Sequence, residues 1–471
     1  MRKNFTEEFM FGAASAAYQV EGGFNQDGKG ESNWDLFSKI EGKTFEGTNG
    51  DVAVDHYNRF EEDVQLMKEM GLNSYRFSIS WSRIFPEKNG SKNQLGIDFY
   101  HRLIDELNKN GITPFVTLFH WDLPQWVEED GGWANLETSD LFLEYAKVCF
   151  DEYASKVNHF ITFNESIVFT ASGYLEASHP PGVTNPELYY KATHCVNISH
   201  AKAVEYYKSK YDGEIGITHV LSQTYAGDVR KSSYQAKRWV EEGNFFWFYD
   251  PILKGTYPQA LFKYAQENFN FNPSLEDMKL LVRTSSQNDF IGVNYYQPSR
   301  VVLNETGEKK VLNRENATGG AGNISFDAKT RSIKLDQATY TKWDWEIYPR
   351  ALYDGMKLIN DNYDGIKIYI TENGLGDVDK VVDGQILDQP RIDYIKAHLI
   401  ATNEAIQNGI NVAGYYAWSF TDLLSWLNGY KKQYGFVYID HKNDLKRVKK
   451  DSYLWYEEVI KTRGGSLYDE N

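Results

Sequence analysis

Eight short apolar runs, separated by stretches with helical periodicity, constrain what this 471-residue chain can fold into. They are FMFGAAS (9–15), SYRFSISW (74–81), TPFVTLFHW (113–121), FITFNE (160–165), EIGITHVL (214–221), DFIGVNYY (289–296), KIYITENG (367–374) and VAGYYAWSF (412–420). Most lack the polar alternation of a strand with one wet face. Near-continuous apolar character belongs to strands buried on both faces of a parallel sheet. Between the runs, residues 55–71, 96–111, 141–156 and 391–409 repeat apolar side chains at helical spacing. The first two stop at Gly71 and Gly111, where glycine C-caps are expected. The pattern predicts an α/β fold: a single (β/α)8 barrel over residues 1–471, with long βα loops forming a cleft. A doubly wound open sheet is the alternative, but no GxGxxG or Walker pattern follows any run. No linker rich in Pro, Gly and Ser marks a domain boundary. The polar stretch 300–342, containing TGGAGN (318–323), reads as a long insertion after strand six.

Fifty basic against 66 acidic residues give a formal charge of −16, which repels nucleic acid and anionic membrane surfaces. An anionic ligand must therefore be held by a few local donors. The two cysteines, Cys149 and Cys195, show no CxxC spacing, as suits a reducing compartment. The N-terminal stretch MRKNFTEEFMFGAASAAYQVEGG lacks the apolar run of a secretory signal, and no window approaches a membrane span. The expectation is a soluble, cytoplasmic protein. A homodimer is allowed by the sequence but not specified by it. Twelve Trp and 33 Tyr supply flat faces that serve a core or a sugar-binding cleft equally well.

In a parallel barrel, polar residues where strands end project into the active-site mouth. Here the runs end in Tyr18-Gln19-Val20-Glu21, His120-Trp121, Asn164-Glu165, Asn294-Tyr295-Tyr296, Glu372-Asn373-Gly374 and Trp418 through Asp422. Glu165 and Glu372 stand out, because an unpaired carboxylate at the end of an apolar run is costly to desolvate. Either alone reads equally as an ion pair or a cap. Two on separate strands of one barrel, each beside an Asn, form the equipment for glycoside hydrolysis. A metal site is the rival use of carboxylates, but neither HExxH nor an Asp-rich loop is present, so neither metal nor cofactor is expected.

TFNE, YITENG and FGAASAAYQVEG, together with SWSRIFP (80–86), HWDLPQW (120–126), HPPG (179–182) and GVNYY (292–296), resemble glycoside hydrolase family 1, the β-glucosidase family, across essentially the whole chain. The resemblance implies a retaining enzyme with Glu165 as acid/base and Glu372 as nucleophile. It implies that Gln19, His120, Asn164 and Trp418 hold the glycone ring. Asn294 and Tyr296 match a strand-six pair whose tyrosine orients the nucleophile, and Trp345 matches a leaving-group platform. Trp81, Trp121 and Trp133 are left as core or rim.

Ordinary β-glucosidases of the family carry a glutamate after strand eight that takes the sugar's 4- and 6-hydroxyls, whereas this chain has Leu424-Ser425-Trp426. Ser425, Lys432 and Tyr434 match the Ser-x6-Lys-x-Tyr phosphate loop of the family's 6-phospho-β-glycosidases, and Lys431 is expected to face away. One ammonium and two hydroxyls converging on a dianion make strong, charge-assisted bonds. The implied substrates are phosphorylated β-disaccharides or aryl β-glycosides, with 6-phospho-β-glucosides favoured. Trp426 resembles the residue of 6-phospho-β-galactosidases and keeps the galacto epimer open. The alternatives are a 6-phospho-β-galactosidase as the main activity, a non-phosphorylated β-glucosidase, and an inactive barrel that binds sugar phosphate.

Overall fold

A computed structural model describes residues 4–88, 90–305, 307 and 329–469. Each of the eight apolar runs carries a strand: β1 Met10–Ala14, β2 Ser74–Ser78, β3 Thr113–Phe119, β4 His159–Asn164, β5 Glu214–Val220, β6 Phe290–Tyr295, β7 Lys367–Asn373 and β8 Val412–Trp418. They pair in parallel around a closed barrel, ending with β1 against β8 from Met10↔Gly414 to Ala14↔Trp418. Strands surrounded in this way are covered on both faces, and β2, Ser-Tyr-Arg-Phe-Ser, is buried at all five positions, polar residues included. The barrel interior is filled by rings: Phe115 lies edge-on to Phe290, Tyr369 and Tyr416, with centroids 5.3, 5.1 and 5.4 Å away.

The amphipathic stretches form the outer helices. Helix His56–Met70 ends at Gly71 in the left-handed conformation at φ 84°, where a Cβ would be strained. Helix Pro186–Lys210 starts at Asn185, whose side chain accepts from the Glu187 and Leu188 amides. Both cysteines are free and buried. No helix among the described residues is long and apolar enough to cross a membrane.

Three local readings are corrected. Strand one ends at Ala14, so Gln19 sits not on the strand but on a short helix, Ala17–Val20. Strand eight ends at Trp418, short of Asp422. The stretch 300–342 is not wholly irregular: Ser299–Leu303 pairs with Thr330–Ser332 and with Thr224–Ala226 in a small sheet beside the barrel. TGGAGN (318–323) lies outside the described residues.

Candidate active site

The C-terminal ends of the strands surround a cavity of about 290 Å³. Eleven of the thirteen residues singled out from the sequence line it: Gln19, His120, Glu165, Tyr296, Trp345, Glu372, Trp418, Ser425, Trp426, Lys432 and Tyr434. Asn164 and Asn294 lie behind them, fully buried.

Irregular backbone aims both carboxylates. Glu165 leaves β4 in the left-handed region (φ 51°, ψ 61°) and precedes helix Ser166–Tyr174; its amide donates to the Thr218 carbonyl at 2.8 Å. A non-glycine residue there costs about 1–2 kcal/mol, which tertiary contacts must hold in place. Glu372 sits where the register of β7 against β6 slips between Ile370 and Glu372, an irregularity of the kind that re-aims a side chain.

The two carboxyls have unequal partners. Glu372 accepts from Arg76 Nη1 at 2.7 Å and from the Tyr296 hydroxyl at 2.6 Å. Among the described residues, Glu165 accepts only from the uncharged Asn294 amide, at 2.9 Å. Burial, and then the charge of Glu372, push Glu165 up to about 8. Burial also raises Glu372, but Arg76 and Tyr296 pull it back. The pair's negative charge therefore resides on Glu372 and the proton on Glu165, the split that a nucleophile and a general acid require.

Behind them a network sets the groups that face the cavity. Asn164 Oδ1 accepts from Arg76 Nη2 at 2.7 Å and from Asn294 at 2.9 Å, which leaves its amide hydrogens for His120 Nε2 at 3.0 Å. His120 Nε2 is therefore the acceptor and Nδ1 carries the proton. Burial and then Arg76 hold His120 well below its ordinary pKa, hence neutral. Gln19 Nε2 donates to the Leu424 carbonyl at 2.7 Å, and its Oε1, like His120 Nδ1, has no partner among the described residues. A buried donor and a buried acceptor thus wait on the cavity wall for ligand hydroxyls.

Aromatic rings form the rest of the wall. Trp426 packs 4.8 Å from Trp121 and 4.4 Å from Trp34, between their rings and Tyr18. Trp121, at φ 81°, lines the cavity, whereas Trp81 and Trp133 belong to the core. Trp345 lies against Tyr296, with centroids 5.5 Å apart.

After β8 the chain turns at Ser425, whose carbonyl accepts from the Asn428 and Gly429 amides at 2.7 and 2.8 Å. Asn428 Nδ2 donates to Ser425 Oγ at 3.3 Å, leaving the hydroxyl hydrogen available to a ligand. Lys432 is 1% exposed, with Nζ 3.5 Å from the Trp345 ring centroid and 4.9 Å from that of Trp343. Its ammonium makes no hydrogen bond or ion pair with the described residues, and burial draws its pKa well below the usual value. Lys431 is exposed, over the Phe45 ring. No group of three or more His, Cys, Asp or Glu among the described residues is placed to hold a metal ion.

Sequence reasoning passed over Arg76, which touches both Glu372 and Asn164. An arginine buried in mid-strand needs buried acceptors, but in Ser-Tyr-Arg-Phe-Ser it is one polar residue among three and does not stand out. Asn428 was also missed, and of the three tryptophans left as core or rim, Trp121 lines the cavity.

A closed parallel barrel whose mouth holds two buried carboxyls with opposed protonation, ringed by tryptophans and unpartnered polar atoms, is the architecture of a glycoside-cleaving enzyme. The chain belongs to glycosyl hydrolase family 1, whose sequence profile matches residues 1–465. It is 43% identical to the aryl-phospho-beta-D-glucosidase BglC of Bacillus subtilis, covering 99% of each chain. It is 39% identical to a 6-phospho-beta-galactosidase of Clostridium acetobutylicum, covering 97% of each. Among solved structures, the family 1 β-glucosidase of Thermotoga maritima superposes with a TM-score of 0.90 at 38% identity, covering 98% of each chain.

Proposed function

We propose that this chain is a retaining hydrolase of 6-phospho-β-D-glucosides, such as cellobiose 6′-phosphate or aryl β-glucoside phosphates, that also accepts the galacto epimer. The observation that carries this reading is Lys432: a buried ammonium on the cavity wall with no carboxylate among the described residues to pair it. An unpaired buried charge costs several kcal/mol and calls for an anionic ligand. The Tyr434 hydroxyl, which has no hydrogen bond to the described residues, and Ser425 Oγ complete a set of donors suited to a phosphate dianion. The names of the Bacillus and Clostridium relatives agree with a phosphorylated glycone, and a substrate charged in this way agrees with cytoplasmic work. The chain acts on this reading as one domain, since β1 closes on β8.

Glu372 attacks the anomeric carbon while Glu165 gives its proton to the leaving oxygen. Water then enters on the same face, losing its proton to Glu165, and releases the hexose 6-phosphate. Arg76 and Tyr296 hold the nucleophile ionised and oriented. His120 and Gln19 bind ring hydroxyls. Trp345, between Tyr296 and Lys432, borders both the glycone phosphate and the departing group.

The test compares nitrophenyl β-glucoside and β-galactoside, each with and without a 6-phosphate. The phosphorylated glucoside should show the highest kcat/KM. Equal rates on phosphorylated and plain glucoside would return the chain to the non-phosphorylated β-glucosidases.

A further inference from the structure

Between Lys432 and Tyr434, both on the cavity wall, Gln433 turns the opposite way, and its back is anchored at every polar atom. Its amide donates to the Asp377 carbonyl at 2.8 Å, and its own carbonyl accepts from the Asp377 amide at 2.9 Å. That carbonyl also accepts from Arg391 Nη2 at 2.9 Å. The side-chain oxygen accepts from the Asp379 amide at 2.8 Å, and the side-chain nitrogen reaches Asp422 Oδ2 at 3.4 Å.

The groups that grip it form one buried cluster of charges. Arg391 pairs with Asp379 at 3.0 Å and with Asp388; Lys450 pairs with Asp379 and, at 2.6 Å, with Asp422. Asp422 Oδ1 also accepts from the Gly435 amide at 2.8 Å, holding the chain just beyond Tyr434. The side chains of Arg391, Asp379 and Lys450 are each at most 2% exposed. These groups come from the segments after β7 and β8 and from the starts of helices Gln389–Gln407 and Asp451–Lys461. Arg391 Nε alone of its guanidinium nitrogens has no hydrogen-bond partner among the described residues; the other contacts tie the local backbone at several points at once, which makes it rigid rather than merely stable.

We propose that Gln433 and the Arg391–Asp379–Lys450–Asp422 cluster are positioning residues for recognition of the substrate's phosphate. They fix the backbone of 432–435 so that the Lys432 ammonium and the Tyr434 hydroxyl face the cavity together. The inference rests on the phosphate reading of Lys432, and it assigns to groups that never touch substrate a share of the discrimination between phosphorylated and plain sugars. Lys432 cannot hold its own place by an ion pair, so its position is inherited from the chain on either side.

The experiment uses the full-length chain with Gln433→Ala and Arg391→Lys, the latter keeping the charge but losing the planar fork that reaches the Gln433 carbonyl. Thermal unfolding first shows that each variant is folded. Each should raise KM for nitrophenyl β-glucoside 6-phosphate, and the inhibition constant of glucose 6-phosphate, by about 10- to 100-fold, the cost of an ångström-scale misplacement. Inhibition by plain glucose should move less than about 2-fold, and kcat less than about 3-fold, because Glu165 and Glu372 stay put. Equal shifts for glucose and glucose 6-phosphate, or no shift in either, overturn the positioning role. Lys432→Ala, run alongside, separates the two claims. If it discriminates while Gln433→Ala does not, only the positioning role falls; if it does not discriminate, the phosphate reading falls and takes this one with it.

Discussion

Replacing Lys432 by methionine removes a buried charge and keeps most of the side chain's length and packing. Truncating one partner of a buried charged hydrogen bond costs about 2–4 kcal/mol, so kcat/KM on nitrophenyl β-glucoside 6-phosphate should fall about 30- to 1,000-fold. The plain glucoside offers the ammonium no anion, and its kcat/KM should change less than about 3-fold. Stability should move the other way. Burial holds the folded-state pKa of Lys432 well below 10.5, so below that pH the unfolded chain binds this proton more firmly than the folded one. The lysine therefore weakens the folded state progressively as pH falls from 10.5 toward its folded-state pKa, while methionine carries no such cost. The surrounding rings return part of it through cation–π attraction. A net gain of about 1–3 kcal/mol corresponds to about 1–3 °C for a chain of this size. Unliganded Lys432→Met should thus melt higher than the parent at pH 7, with the gap closing toward pH 10.5. The assay is nitrophenol release on both substrates, with scanning fluorimetry at several pH values and Lys431→Ala as the exposed-lysine control. An equal loss on both substrates, or a lower melting temperature at pH 7, would refute the reasoning.

Glu165 must be protonated to act, so kcat/KM should decline as pH rises past about 8, the value to which burial and Glu372 push it. Glu165→Gln should abolish that limb while sparing substrates with very good leaving groups; a persisting limb would assign it to another group. Arg76→Met strips Glu372 of its cation, and the acidic limb of the profile should move to higher pH, with kcat falling about 100-fold or more. An unmoved acidic limb would show that Arg76 does not set the nucleophile's charge. Gly376 lies against residues 432–434, where an added Cβ would sit 2.7 Å from Lys432 Cγ and 2.8 Å from Tyr434 Cζ. Gly376→Ala should therefore raise KM for the phosphorylated glucoside about 10-fold or more, with plain glucoside much less affected; equal effects would place the damage elsewhere.

Periodicity made the barrel legible because a strand covered on both faces leaves a continuous apolar signature, and every one of the eight runs carries its strand. Strand ends were less legible. Gln19 lies on a one-turn helix too short to show a period, although its side chain still reaches the cavity through the Leu424 carbonyl. The carboxylates were legible because each is a charge where an apolar run stops. Arg76 was not, since a charge in mid-run breaks the pattern that located the strand. The cluster behind Gln433 had no sequence signature at all: its members lie in segments up to 71 residues apart, and each alone looks like ordinary surface charge. Such groups become a site only when the chain has been folded around them.

The hydrogen bond from Gln19 to Leu424 joins residues 405 positions apart, and Lys432 and Tyr434 follow later still. During synthesis, Gln19 leaves the ribosome long before the partners that complete its side of the cavity exist. A nascent chain halted before Tyr434 has emerged would hold both carboxylates yet lack one wall of the cavity, and it should release no product from the phosphorylated glucoside. Catalytic turnover is thus a late event in the life of each molecule, and its onset during translation would time the closing of the ring from the inside.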